Sequence, residues 1–293
     1  MYRGYHGSVD EMSEHTTMDI IRPRRQSFIA HLWLGSGQAT DWLFRRLDAA
    51  LVGPQVHWYE PVPHRFRMSG AGEPCVRALC LAGLGHGQVF RSRTLRIFAT
   101  GRAIEHEIVQ EMQDAGVLVD TNKSCNIKSL PLVGHYDVLV ADPATDEKLL
   151  GEIKSIKEER FEALPNPASE AENGPLLIVN GYRGYVVQWT MYAVAKGNLR
   201  GFLLFESKNT QRRLIYWMRP DLDLFEQVMA LHRSAWKYVQ MDQVAPMSRE
   251  VTRDPLCKRC WRRYLCAGLP KEAVDYSTVR AIDATLAPVT SGH

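Results

Sequence analysis

Apolar positions along the chain change their period several times, and each change marks an element. Over 94–115, Leu95, Phe98, Ile104, Ile108 and Met112 recur at helical spacing and Gly116 ends the run, so a helix is predicted there. The pattern then shortens. Gly116–Val119, Leu130–Val140 and Lys148–Ile156 are apolar stretches rich in β-branched residues, which predicts strands. Asp142-Pro143-Ala144-Thr145-Asp146 between the last two reads as a hairpin turn. Residues 160–181, with three prolines and two glycines, read as a long mobile loop. A helix over about 183–197, strands at Gly201–Glu206 and Leu214–Trp217 with a turn at Lys208–Gln211, and a helix over 220–241 follow. Upstream, Phe28, Leu32, Trp33, Trp42, Leu43, Phe44, Leu47 and Leu51 predict helical structure over 26–52, broken at Gly35–Gly37. Pro54, Pro61 and Pro63 mark a loop, and a short helix over 74–84 begins at Pro74. Residues 1–25, polar and ending in Arg22-Pro23-Arg24-Arg25, read as a flexible arm, and the chain after about 270 as a small polar tail. No internal repeat or low-complexity block is present. Helices on either side of short strands place the chain in the α/β class.

Composition adds bounds rather than detail. At 293 residues, 45% hydrophobic and 24% charged, the chain is long enough for a substantial core and too apolar for wholesale disorder. Lys plus Arg is 36 against 33 acidic residues, a net charge of +3 that by itself does not establish a nucleic-acid partner. No apolar run reaches the roughly 18–20 residues of a membrane helix. The N-terminal segment carries acidic residues and lacks the apolar centre of a secretory signal. A cytoplasmic protein without a membrane partner is the expectation.

Two strands carry anomalous residues. Leu132-Val133-Gly134-His135-Tyr136-Asp137-Val138-Leu139-Val140 is apolar on both faces, as in a central strand, yet holds Asp137 in its middle. A buried carboxylate costs several kcal/mol, roughly, unless a cation or donor satisfies it. In Leu149-Leu150-Gly151-Glu152-Ile153-Lys154-Ser155-Ile156, alternation puts Glu152 and Lys154 on one face. The hairpin sets Asp137 beside Glu152, and two carboxylates at close range repel unless a cation lies between them. Oxygen ligands suit Mg²⁺ or Mn²⁺ better than Zn²⁺. Lys154 is placed to orient an attacking water and offset charge, as phosphodiester hydrolysis requires. A buried Glu–Lys or Asp–Lys ion pair, or an ordinary solvated edge strand, would account for the same residues without chemistry.

The order helix, Asp strand, Glu-x-Lys strand, helix resembles the PD-(D/E)XK nuclease superfamily, and within it the RecB-like exonuclease branch. Gly134-His135-Tyr136-Asp137 matches the branch's G-x-x-D form, without the Pro of the superfamily's name. The resemblance implies a restriction-endonuclease-like core, a mixed central β-sheet flanked by helices. It implies metal ligation by Asp137, Glu152 and the Ile153 main-chain carbonyl, with Lys154 assisting the water. It also implies a further ligand on the preceding helix. In Gly101-Arg102-Ala103-Ile104-Glu105-His106, Glu105 stands four residues after the Gly, and His106, about 100° around the helix, is the second choice. The branch's Q-x-x-x-Y helix is matched by Gln188-Trp189-Thr190-Met191-Tyr192, with Gln188 and Tyr192 on one face as candidate phosphate contacts or supports for the site wall.

Near the end, Cys257, Cys260 and Cys266 form C-x2-C-x5-C. Three thiolates this close point to a metal and need a fourth ligand, with Cys75, Cys80, Cys125 or a His as candidates. A distant cysteine plus such a trio resembles the iron–sulfur nucleases of the same branch, AddB-type and CRISPR-adaptation nucleases among them. There a [4Fe–4S] cluster staples the N-terminal part to the chain's end. Pro74-Cys75-Val76-Arg77 resembles the C-x-R segment of the first ligand, which selects Cys75. Structural Zn²⁺ and free thiols are the alternatives.

Arg91, Arg93, Arg96 and Arg102, and Lys258, Arg259, Arg262 and Arg263 interleaved with Trp261 and Tyr264, suit a groove for a phosphate backbone and unpaired bases, and equally a solvated surface. Arg102 is taken as a substrate contact. The expected organisation is an arm at 1–25, a helical region at 26–93 carrying Cys75, a nuclease core at 94–245, a metal-cluster segment at 246–270 and a tail at 271–293. The function expected is a Mg²⁺- or Mn²⁺-dependent DNA exonuclease of recombination, repair or end processing, bacterial or phage-encoded. Its substrate would be DNA with free ends or single-stranded character. No G-x-x-x-x-G-K-[ST] occurs, so any helicase would be a separate recombination partner, and a homo-oligomer is compatible. The alternatives are a structure-specific endonuclease and a non-catalytic DNA-binding scaffold.

Overall fold

A computed structural model describes residues 46–47, 62–87, 90, 92–167, 173–197, 199–248, 251 and 253–282. The chain divides into two units, 1–55 and 56–293. Of the first, only Arg46 and Leu47, both helical, are described. The expected arm at 1–25 and most of the helical stretch at 26–52 lie outside the described residues. All other described residues belong to the second unit.

Its elements are β1 (Phe66–Arg67), α1 (Val76–Gly83), α2 (Ser92–Asp114), β2 (Leu118–Ile127), β3 (Leu132–Ala141), β4 (Lys148–Ile156), α3 (Glu158–Glu162), α4 (Asn173–Leu177), α5 (Arg183–Ala195), β5 (Gly201–Ser207), β6 (Arg213–Met218), α6 (Leu222–Val239), β7 (Gln243–Val244), α7 (Pro255–Arg259), α8 (Arg263–Gly268) and β8 (Val274–Asp275). Local chemistry sets the boundaries. Gly116 at φ 71° stops α2. The Asp221 carboxylate accepts the Leu224 N–H at 2.9 Å to start α6. Asp142 accepts the Ala144 N–H at 2.8 Å within the β3–β4 turn.

Three elements depart from the sequence pattern. β2 continues through polar Asp120–Asn126, because it pairs with β3 on one edge and leaves much of its surface to solvent. The stretch read as one loop from 160 to 181 contains α4, one wide turn at Ile178–Tyr182 and the end of α3. Residues 271–282, expected to be part of a small polar tail, are structured. Val274 pairs with Val244 in a β7–β8 ribbon, and Val279 is fully buried in helical residues 276–282.

The main sheet is mixed and flanked by helices. β3 pairs antiparallel with β2 and β4, β5 runs parallel to β4, and β6 closes the far edge antiparallel. On one face, Ile104, Ile108 and Met112 of α2 pack on Val138, Val140, Leu149, Ile153, Phe202 and Leu204. On the other, Val186, Val187, Trp189, Met191 and Tyr192 of α5 join the larger core with Leu132, Tyr136, Leu150, Leu203 and Phe205.

β3 does not keep one face throughout. Residues two apart in a regular strand share a face. Here Leu132 and Tyr136 belong to the α5 side, whereas Val138 and Val140 belong to the α2 side. The switch falls at Asp137. Its expected partner Asn122 drops out of the β2–β3 register and adopts φ 50°. The apolar-on-both-faces pattern of this strand follows from that switch.

Candidate active site

β3 also forks. β2 occupies one of its edges over the whole length, so β1 and β4 share the other: β1 at Leu132–Val133, β4 at Val138–Ala141. Beyond Gly151, β4 leaves β3 and stays paired only with β5. Asp137 stands in the crotch, and its carboxylate accepts the Ile153 N–H at 2.7 Å in place of the lost ladder bond. The N–H and C=O of one strand residue leave on the same edge, so the Ile153 carbonyl faces the fork too.

A cavity of about 520 Å³ opens at this fork. It is lined by Glu105 from α2, Asp137 from β3, Glu152, Ile153 and Lys154 from β4, and Gln188 and Tyr192 from α5, so helices on both faces of the sheet reach it. Two glycines make that convergence possible. A Cβ on Gly134 would come within 2.5 Å of the Tyr192 ring, and one on Gly101 within 3.3 Å of Ser155 Oγ. The first lets α5 settle on β3; the second lets α2 approach β4 and carry Glu105 inward four residues later. Those contacts are the physical content of the G-x-x-D and G-x-x-x-E spacings.

Glu152 is 1% exposed. Its Oε1 accepts from Lys154 Nζ and Gln188 Nε2, and Gln188 Nε2 also lies 3.2 Å from the Tyr192 hydroxyl. The Gln188 amide is thus engaged with the carboxylate and the Tyr192 hydroxyl, beside the open cavity. Glu152 Oε2 is buried with no hydrogen-bond partner. Burial pushes the Glu152 carboxyl up to about 8, with Lys154 pulling it back and Asp137 and Glu105 adding to the rise. Burial and the Asp137 charge push Glu105 up to about 7. Burial raises Asp137 as well, against Lys154 and the Ile153 N–H. For Lys154, burial works against the charge, but Glu152 and Asp137 outweigh it and hold the ammonium above its ordinary value. The site is three acids that resist ionising together beside one firmly charged lysine.

This donor set fits a hard divalent cation. The orphaned Glu152 oxygen, the Asp137 carboxylate and the Ile153 carbonyl border one space, and a cation there would offset the burial that raises all three acids and the repulsion that adds to it at Glu105 and Glu152. Among the described residues, no three His, Cys, Asp or Glu side chains form a ready cage. Mg²⁺ uses one or two carboxylates plus water and phosphate rather than an all-protein cage, so that openness suits it.

The structure separates the candidates named from the sequence. Asp137, Glu152, Lys154, Ile153, Glu105, Gln188 and Tyr192 share the cavity, whereas His106 and Arg102 are exposed on α2 and do not line it. Arg65, Arg67 and Ser69 do line it and were missed. The signal was there in His64-Arg65-Phe66-Arg67-Met68: strict alternation, with Phe66 and Met68 buried and the two arginines exposed.

Cys75, Cys257, Cys260 and Cys266 line a second cavity, of about 170 Å³. Asp254 starts α7 by accepting the Leu256 N–H at 2.7 Å, and Cys75, at the N-cap position of α1, donates its N–H to Glu73 Oε1 at 3.0 Å. Cys80 turns to the Ala235 carbonyl and Cys125 to the Met68 sulfur, so neither joins the group. Arg77, 3% exposed, reaches the carbonyls of Ala245 and Pro270 at 2.8 Å and of Glu272 at 3.4 Å, binding α1 to the chain's end. Four thiols thus line one space, and among the described residues no three His, Cys, Asp or Glu side chains are grouped as a ready metal cage.

No protein-family model matches the chain, and no curated protein does either. Among solved structures it is similar to an alkaline exonuclease (LHK-Exo) from Laribacter hongkongensis, at 13% identity over 67% of this chain and 95% of that one, with a TM-score of 0.42. The same exonuclease in complex with dAMP gives 12% identity, 67% and 93% coverage and a TM-score of 0.40. SSO0001 gives 16% identity, 80% and 98% coverage and a TM-score of 0.40.

Proposed function

We propose that this protein is a metal-dependent deoxyribonuclease that hydrolyses phosphodiester bonds at the β3–β4 fork. One observation carries the reading: a buried, half-unpartnered Glu152 beside Asp137 and Lys154, in a cavity open to solvent. Asp137, Glu152 and the Ile153 carbonyl would hold Mg²⁺ or Mn²⁺, with Glu105 facing them from α2. The cation supplies Lewis acidity toward water and the phosphate oxygens. Lys154 orients the attacking water and offsets charge on the scissile phosphate. Arg65 and Arg67 take flanking phosphates, while Gln188 and Tyr192 hold Glu152 in place. The four-cysteine cavity would take a [4Fe–4S] cluster as a staple between α1 and the C-terminal segment.

Action from DNA ends follows the motif resemblance, with roles in recombination, repair or end processing. The test uses end-labelled linear and circular single-stranded DNA with Mn²⁺. The expected outcome is degradation of the linear form only; cutting of circles would make the protein an endonuclease, and no cutting would leave a binder. Asp137→Ala and Lys154→Ala are expected to abolish hydrolysis and retain DNA binding. Undiminished cutting by either variant refutes the site.

A further inference from the structure

Beside the active cavity lies a larger one of about 660 Å³, within the roughly 300–1,000 Å³ of ligand pockets. It adjoins the active site, since Arg65, Arg67 and Ser69 line both. Its far wall is aromatic: Phe90 and Phe98 meet edge to face at 5.1 Å, and Trp261 stacks on His86 at 5.5 Å.

Two buried polar groups on this wall each keep one nitrogen without a hydrogen-bond partner. Arg262 is 8% exposed, its guanidinium sits 4.1 Å from the Trp261 ring centroid, and its Nε has no hydrogen-bond acceptor. His232 is 1% exposed; its Nδ1 is bonded to the Val228 carbonyl at 2.9 Å, and its Nε2 has no partner. Glu73, the acid on this wall, already accepts the Cys75 N–H. Burial works against the Arg262 charge more than Cys260 and Glu73 support it, and its Nε keeps no acceptor; a phosphate oxygen would supply one. Phe90, Phe98 and Trp261 offer the apolar surface that a base seeks.

We propose that this larger cavity is a nucleotide subsite, taking one unpaired nucleotide of the substrate strand at a fixed distance from the bond being cut. The base lies against Phe90, Phe98 and Trp261, and the phosphate meets Arg262, with Arg65 and Arg67 bridging to the active cavity. The subsite rests on the nuclease reading and gives that site its preference for a frayed or single-stranded substrate.

The test is single-turnover cutting, with Mn²⁺, of end-labelled single-stranded oligonucleotides that each carry one abasic residue at a successive position. The expected result is a rate loss of about tenfold at one fixed distance from the cut bond and little loss elsewhere. In Phe98→Ala the intact oligonucleotide should be slowed by the same factor and the position effect should vanish, with iron content and visible absorption unchanged. Phe90→Ala serves if Phe98→Ala does not fold. A flat abasic profile in an enzyme that cuts overturns the subsite alone, as does a position effect that survives in the phenylalanine variant. Failure to cut any oligonucleotide removes the nuclease reading and the subsite with it.

Discussion

Glu152 shows how a single side chain can carry a site. Burial and two neighbouring acids favour its neutral form, whereas Lys154, which with Gln188 donates to its Oε1, favours its charged form. Gln188 is the neutral member of that pair of donors, so it fixes the carboxylate's orientation without setting its charge. Gln188→Ala is expected to lower the cutting rate about 10–100-fold, in the usual range for a residue that orients a ligand. DNA binding should be unchanged, and added Mn²⁺ should recover part of the loss. A steady-state titration of rate against Mn²⁺ checks this. The Asp137–Glu-x-Lys spacing was legible in the sequence; the bond from Gln188 to Glu152 was not, because nothing in Q-x-x-x-Y states which way an amide points.

At the scale of elements, β4 needs an anchor where it has left β3 and pairs only with β5. Glu158 at the start of α3 supplies it, accepting from Ser207, from Thr210 at 2.7 Å and from Arg212 across the β5–β6 turn. The Ser207 hydrogen bond first, then those of Thr210 and Arg212, lowers its carboxyl from 4.5 to about 2. A carboxyl with a folded value below its unfolded one adds stability above the unfolded value, and that stability is lost as pH falls through the folded one. Between about pH 4.5 and 2 the wild type should therefore lose more thermal stability than Glu158→Gln. Melting temperatures of both proteins across that range test it. The sequence pattern located these strands within a residue or two, since alternation and turn residues are local. It read α4 as loop because the three prolines and two glycines of 160–181 and an uneven apolar pattern conceal a single helical turn.

For the whole molecule, the decisive contact is between distant ends of the unit. Arg77 is buried on α1 and bound to three carbonyls near 245–272. Two good hydrogen bonds from a charged donor contribute roughly 1.5 kcal/mol each. Arg77→Met should thus cost about 3 kcal/mol or more in urea unfolding. It should also lower retention of the iron–sulfur cluster proposed for the four-cysteine cavity, because Cys75 is two residues away from the lost tie. Undiminished stability and iron content in that variant would separate α1 from the C-terminal segment.

The sequence alone determined what is local: the periods of strands and helices, the turn chemistry, the cysteine spacing and the acidic residues stranded in apolar runs. Each of these depends on neighbours a few positions apart. The fork at Asp137, the face switch in β3, the arrival of Glu105 without His106 and the separation of Cys80 and Cys125 from the other four thiols were decided only by tertiary structure. They depend on how closely helices approach the sheet and on which edge of a strand is left unpaired, and those quantities are set by packing between segments far apart in the chain.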